Sequence, residues 1–150
     1  MDIDKRLMLV LQEIDFANRY KLLCEKHSDF DNRLVKYDKT IINEIYARNG
    51  LKTDYVVSEN FFKTIENVGD FTIHFHSIPY NGFIQFLFSV RLGEEKVSIG
   101  LGVWESITRK LLNLKVKKPL FTSIEELEEI LSEAISIYED FKKGLLASQA

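Results

Sequence analysis

The chain predicts an α+β fold, an antiparallel three- to four-stranded meander with N-terminal and C-terminal helices packed on one face. Three observations predict it. Residues 70–104 alternate apolar and polar positions between turn signals at Asn81-Gly82 and Gly93-Glu94-Glu95-Lys96. The segments on either side carry apolar residues at helical spacing, and composition does not shift along the 150 residues. Antiparallel strands in succession, flanked by runs of helix, are the signature of a sheet with helices segregated to one face.

The meander's register follows from its first turn. Asn-Gly suits a type I′ hairpin, because both central residues need positive φ. Tyr80 then sits opposite Phe83, Phe75 opposite Phe88, Ile73 opposite Val90 and Phe71 opposite Leu92, so the turn and the alternation select the same pairing. A slip of one residue would bury His74 and His76 instead. Phe71, Ile73, Phe75, Ile84, Phe86, Phe88, Val90, Val97, Ile99, Leu101 and Val103 form the expected core face. Thr72, His74, His76, Gln85, Leu87, Ser89, Arg91, Ser98, Gly100 and Gly102 form the other. Pro79 falls where its missing N–H points away from the partner strand, which predicts a sheet edge along that end of the Phe71 strand.

Helices are expected on both sides. Ile3, Leu7, Leu11 and Ile14, with Val10, Ala17 and Leu22, predict a helix between Asp2 and Lys26. Ser28 or Asp29 is placed to cap a second, with Phe30, Leu34, Tyr37, Ile41 and Ile45 on one stripe and Asn49-Gly50 as its stop. Asp54–Val57 reads as a short strand, and Ser58 as the cap of a short helix bearing Phe61, Phe62, Ile65 and Val68. Glu105–Leu114 reads as helix with Ile107, Leu111 and Leu112 inward. Ser123-Ile124-Glu125-Glu126 is a capping box opening a long helix with Leu127, Leu131, Ala134, Tyr138, Phe141 and Leu145 on one face.

Residues 1–150 are read as a single domain, which at this length buries roughly 70% of its unfolded surface. Two prolines and seven glycines leave no linker or low-complexity boundary. The charged start at Asp2-Ile3-Asp4-Lys5 lacks the apolar stretch of a signal peptide, and no run approaches the ~18 apolar residues of a membrane span. A soluble, cytoplasmic protein is expected. The lone Cys24 agrees with a reducing compartment and reads as a small buried hydrophobe, since no partner base accompanies it.

The sharpest chemical candidate is His74-Phe75-His76. Residues two apart on a strand point the same way, so both imidazoles could share a metal ion, but a zinc site needs further ligands. His27 has no reason in the pattern to approach them. Gly93, Gly100 and Gly102 do not make a phosphate loop, because Gly100-Leu101-Gly102 lies within a strand and no Lys-Ser/Thr follows. No serine sits in Gly-x-Ser-x-Gly, and Cys24 lacks a His or Asn signature. The acidic pairs Glu94-Glu95, Glu125-Glu126 and Glu128-Glu129 occupy a hairpin tip and a helix start, where solvation and the helix dipole favour acids without catalysis. No metal or cofactor is assigned.

Charge is arranged more informatively than any motif. Net charge is −3, yet Glu125, Glu126, Glu128, Glu129, Glu133, Glu139 and Asp140 follow one another with no basic residue between them. Arg109, Lys110, Lys115, Lys117 and Lys118 gather just upstream, without interleaved aromatics and beside that acidic run, a poor footprint for nucleic acid. The leading expectation is a small non-catalytic protein-binding module, in concrete form a bacterial immunity-type inhibitor that occludes the active site of a partner toxin. Its expected surface joins His74, His76, Gln85, Ser89 and Arg91 to Glu125, Glu128 and Glu129, and the acids favour a basic partner. One alternative is a metal-assisted hydrolase using His74 and His76. The other is a small-ligand module whose pocket lies between sheet and helices, drawing on Tyr55, Phe61, Phe62, Phe71, Phe75, Phe86 and Phe88.

Overall fold

A computed structural model describes residues 3–149, so Asp2, the expected start of the first helix, lies outside the described residues. The five strands are β1 (Asp54–Val56), β2 (Phe61–Val68), β3 (Phe71–Tyr80), β4 (Phe83–Leu92) and β5 (Val97–Gly100). They form one antiparallel sheet whose spatial order follows the chain, β1-β2-β3-β4-β5. The helices are α1 (Lys5–Glu13), α2 (Phe16–Lys26), α3 (Thr40–Arg48), α4 (Trp104–Leu112) and α5 (Ile124–Ala147), with a 3₁₀ turn at Phe30–Asn32. The class is α+β as expected, with five strands in place of three or four.

The β3–β4 hairpin has the register its turn dictates. Tyr80 faces Phe83, Phe75 faces Phe88, Ile73 faces Val90 and Phe71 faces Leu92, with Asn81 and Gly82 both at positive φ. A side chain at Gly82 would also meet Arg33, whose Cβ lies 2.6 Å from where its own Cβ would stand. β5 departs from simple alternation. Val97 pairs with Leu92 and Ser98 with Arg91, but the register then shifts and Gly100 comes opposite Val90. Ile99 is the extra residue of a bulge, and Gly100 and Leu101 both adopt positive φ there. The shift reverses parity: Gly100 lies across from a core residue, not on the histidine face, and Val103 bridges to Leu87 on that face, not in the core. Val97 is 57% exposed, because the strand is a short outer edge.

Residues 58–68 form β2, not the expected helix. Phe62, Thr64 and Val68 turn inward and are buried, while Phe61, Lys63, Ile65 and Asn67 share the side of His76, His74 and Thr72. β2 makes β3 an interior strand from Phe71 to Ser77, and the edge expected at its Pro79 end is limited to the residues beyond. Pro79 itself lies past the last β2–β3 pair, where the Asn60 side-chain amide donates to its carbonyl at 3.1 Å. The helix expected from Phe30 to Ile45 is formed only in its second half. Leu34 is held in extended chain by donating to the Phe121 carbonyl at 2.8 Å, and Asp38 accepts from the Thr40 N–H at 3.0 Å where α3 begins. The first helical segment breaks in two at Asp15, which adopts φ 56°.

The helices cover one sheet face. Tyr138 and Phe141 of α5 stack on Phe75 and Phe88 at 4.8 and 4.6 Å, and Phe16 of α2 packs against Phe88 at 6.2 Å. Trp104 fills the centre against Phe75, Phe86 and Phe88. Tyr46 of α3 reaches the same layer and shares a buried hydrogen bond with Ser77. Where α1 crosses α5, Gly144 permits close approach: a Cβ there would lie 2.5 Å from Val10 Cγ1. Leu127, Leu131, Ala134, Tyr138, Phe141 and Leu145 are all fully buried, as the α5 stripe predicts. Its cap is a variant of the expected box: Ser123 Oγ accepts from the Glu126 N–H at 3.1 Å, while the Glu126 carboxylate accepts from the Thr122 N–H at 2.6 Å.

Candidate functional site

Among the described residues no helix packs on the opposite sheet face, and it holds most of the residues singled out in the sequence. Strand alternation places His74 beside Ile65 and Ser89, His76 beside Lys63 and Leu87, Gln85 beside Ile78, and Arg91 beside Thr72 and Ser98. His74, His76, Gln85, Leu87 and Ser89 are half-buried by their neighbours, and Arg91 and Ile65 are exposed. The ring centroids of Phe61 and His76 lie 4.6 Å apart, and those of His76 and His74 6.2 Å apart, making a short aromatic row across two strands. Thr72 leaves the exposed set, being buried and donating to the Asn67 side chain at 2.9 Å. At the hairpin end, Asn60, Ile78, Tyr80, Phe83, Gln85 and Lys118 line a groove of about 490 Å³.

Both imidazoles are shifted toward the neutral form. Burial lowers the His74 pKa, and the charges of Arg91, Lys96 and Lys63 lower it further. Burial, His74 and Lys63 bring His76 down to about 4. A neutral imidazole offers one donor and one acceptor. Among the described residues no group of three or more His, Cys, Asp or Glu gathers to hold a metal ion.

The shift carries a consequence for stability. Between the unfolded value of 6.5 and the lowered folded values, the unfolded chain binds more protons than the folded one, so stability falls as pH drops through that window. The urea midpoint should decline from pH 6.5 toward pH 4. The double variant His74→Gln/His76→Gln should flatten that decline; an unchanged slope would show that the two imidazoles titrate alike in both states.

Glu125, Glu128 and Glu129 are not contiguous with this face. They belong to α5, which packs on the Phe75 side of the sheet. Several acids of that helix already have partners. Glu128 lies 3.6 Å from Arg48, Glu129 3.5 Å from Lys26, and Arg19 bridges Glu133 and Asp140 at 3.3 and 2.8 Å. Glu125 is exposed and enters no ion pair among the described residues. His27 is buried and bonds Glu126 at 2.9 Å through Nδ1. Burial opposes ionisation of Glu126, but its bonds to His27 and the Thr122 N–H outweigh that and hold its carboxyl below the ordinary range.

Comparison with family models, curated proteins and solved structures finds no match to this chain. The candidate site therefore rests on its own chemistry. What the sequence left out of it is β2: Phe61, Lys63 and Ile65 add an apolar flank and a cation to a face that the alternation alone made mainly polar. Tyr20, Trp104, Glu105 and Thr108 form a second unforeseen group, with buried side-chain polar atoms that have no hydrogen-bond partner among the described residues. Cys24 belongs beside them; it is buried, and burial pushes its thiol up to about 12, which leaves it unreactive. Of the aromatics expected to line a ligand pocket between sheet and helices, Phe62, Phe71, Phe75, Phe86 and Phe88 are engaged in core packing, each at most 2% exposed, while Phe61 lies on the open face and Tyr55 packs on Phe62.

Proposed function

We propose that this protein is a non-catalytic protein-docking module that works through the open face of its sheet. The observation that carries the reading is the one-sided packing: strands of ten residues are covered by helices on the Phe75 side and bare on the His76 side. Size supports it. The 8, 10, 10 and 4 residues of β2–β5, at ~3.3 Å each and ~4.8 Å between strands, give about 500 Å², over half of the ~800 Å² that one partner contributes to a stable interface. Composition supports it too. Phe61 and Ile65 on β2 and Leu87 on β4 give apolar contact on either side of the histidine row, and Gln85, Ser89 and Arg91 add hydrogen-bonding groups, the mixed apolar and polar make-up of protein interfaces. An open sheet face of this kind suits an inhibitor of the immunity type, which acts by covering a partner's active site. The acids of α5 lie on the other layer, so one flat partner surface does not engage both sets.

The test compares three immobilised chains in lysate of the native host: wild type, Leu87→Glu/Ser89→Glu, and Glu125→Lys/Glu128→Lys/Glu129→Lys, each checked for fold by circular dichroism. A protein retained by the wild type and by the α5 variant, and lost from the sheet-face variant, is the expected result. Retention by the sheet-face variant, or loss confined to the α5 variant, would move the interface off the sheet.

A further inference from the structure

We infer that the open sheet face recognises an acidic, partly apolar protein segment, with carboxylates set over the Lys63–His74–Arg91 region and apolar side chains against Phe61 and Leu87. The inference rests on the docking reading above and names the chemistry of the partner. Charge is the first argument. The charged groups acting on His74 are Arg91 from β4, Lys96 from the β4–β5 turn and Lys63 from β2, and those acting on His76 are His74 and Lys63. No carboxylate is among them. Asp54 of β1 lies across from Lys63 at the sheet's margin, and Glu94 and Glu95 sit in the turn beside Lys96. The cations are thus gathered around the histidine row without an internal counter-charge at its centre.

The second argument is where the acids have gone. The chain is acidic overall, at −3, but Glu128, Glu129, Glu133 and Asp140 face Arg48, Lys26 and Arg19 on the helical layer. Glu139 and Glu66 likewise hold Lys142, at 3.0 and 3.1 Å. Most acids of the helical layer are thus paired, whereas Lys63, Arg91 and Lys96 of the sheet enter no ion pair among the described residues, although Asp54 lies across from Lys63 and Glu94 and Glu95 lie beside Lys96. Complementary potential across an interface speeds encounter and disfavours partners of the wrong sign. On this geometry the partner's sign is negative.

Proton linkage is the third argument. A carboxylate brought over His74 and His76 offsets the repulsion from Lys63, Arg91 and Lys96, so it favours the imidazolium form and binding takes up protons. Affinity should rise as pH falls from 7.5 to 6.

The test uses the isotope-labelled full chain and three probes: a soluble peptide of leucine, glutamate and serine, its counterpart with lysine for glutamate, and a single-stranded oligothymidylate. The acidic peptide should shift the imidazole resonances of His74 and His76, raise their apparent pKa, and bind more tightly at pH 6 than at pH 7.5. Lys63→Gln/Arg91→Gln should weaken it about tenfold, roughly threefold for each surface charge. If the lysine peptide binds this face and the acidic one does not, the charge assignment falls while the docking reading stands. If neither peptide moves any open-face resonance, both fall together. If oligothymidylate binds this face more tightly than the acidic peptide, a phosphate backbone is its occupant and the inference is overturned.

Discussion

Replacing Trp104 by alanine should cost about 3–5 kcal/mol, the range for deleting a large buried aromatic, and lower the melting temperature by about 6–20 °C. Trp104 is fully buried. It stacks on Phe75 at 5.6 Å, tilts against Phe86 and Phe88 at 4.9 Å, and meets Phe16 and Tyr20 edge-on at 5.1 and 5.3 Å. One side chain thus joins the sheet to α2 at the first turn of α4. A domain of ordinary stability has about 5–15 kcal/mol in all, so the variant should be close to unfolding at physiological temperature. Trp104→Phe should cost far less, about 1–2 kcal/mol, because it keeps most of the ring contact and the indole Nε1 has no hydrogen-bond partner to lose among the described residues. Calorimetry of the three chains checks the order. It is the chain's sole tryptophan, so wild-type fluorescence reports the same core. Equal melting temperatures for wild type and Trp104→Ala would show that this packing does not hold the layers together.

The next largest effect has the opposite sign. Glu105→Gln should stabilise the protein at pH 7–8 by about 1–2 kcal/mol, because it removes the cost of ionising a buried carboxyl, about 1.4 kcal/mol for each pH unit by which burial raises it, or about 2–8 °C in melting temperature. Both carboxylate oxygens of Glu105 are buried without a hydrogen-bond partner among the described residues. Burial pushes its carboxyl above the ordinary value, and its own backbone N–H, the nearby Tyr20 hydroxyl and Lys118, none within good hydrogen-bond geometry, only partly offset this. The sign follows from proton binding. Between the unfolded and the raised folded value the native state holds more protons, so this group's contribution weakens as pH rises through that window. The gain from glutamine should therefore vanish below about pH 4.5, where the carboxyl is protonated in both states. This slope opposes that of His74 and His76. A variant no more stable than wild type at pH 8 would mean that the carboxylate is solvated.

How far the fold was legible in the sequence depends on whether a local rule and the tertiary structure agree. Asn81-Gly82 set a register that ten strand pairs then follow, because the turn and the apolar alternation demand the same pairing. β2 hid for a physical reason. Its inward positions include Thr64 and Glu66, which broke the apolar alternation, while Phe61, Phe62, Ile65 and Val68 happened to fall at helical spacing. Both polar residues are satisfied only by distant chain: Thr64 donates to the Lys52 carbonyl at 2.8 Å, and Glu66 accepts from Tyr138 and Lys142. Leu34 and Tyr37 looked helical for the same reason, since the carbonyl that holds Leu34 extended belongs to Phe121. The candidate site was half legible. Alternation put His74, His76, Gln85, Ser89 and Arg91 on one face, but the separation from Glu125, Glu128 and Glu129 needed the layer order, which no local pattern encodes.

The strand order carries a consequence for how the protein is made. Each strand pairs with the one just synthesised, so the sheet can assemble as it leaves the ribosome. Its cover cannot: Phe75 and Phe88 await Tyr138 and Phe141 of α5. At ~5–20 residues per second, the interval between Gly100 and Ala147 is about 2–10 s. For that time the nascent sheet has one face covered only in part, by Phe16 of α2 and Tyr46 of α3, and another that α5 never closes. A chaperone that shields apolar sheet would have its work set by the first, and would release a molecule still presenting the second.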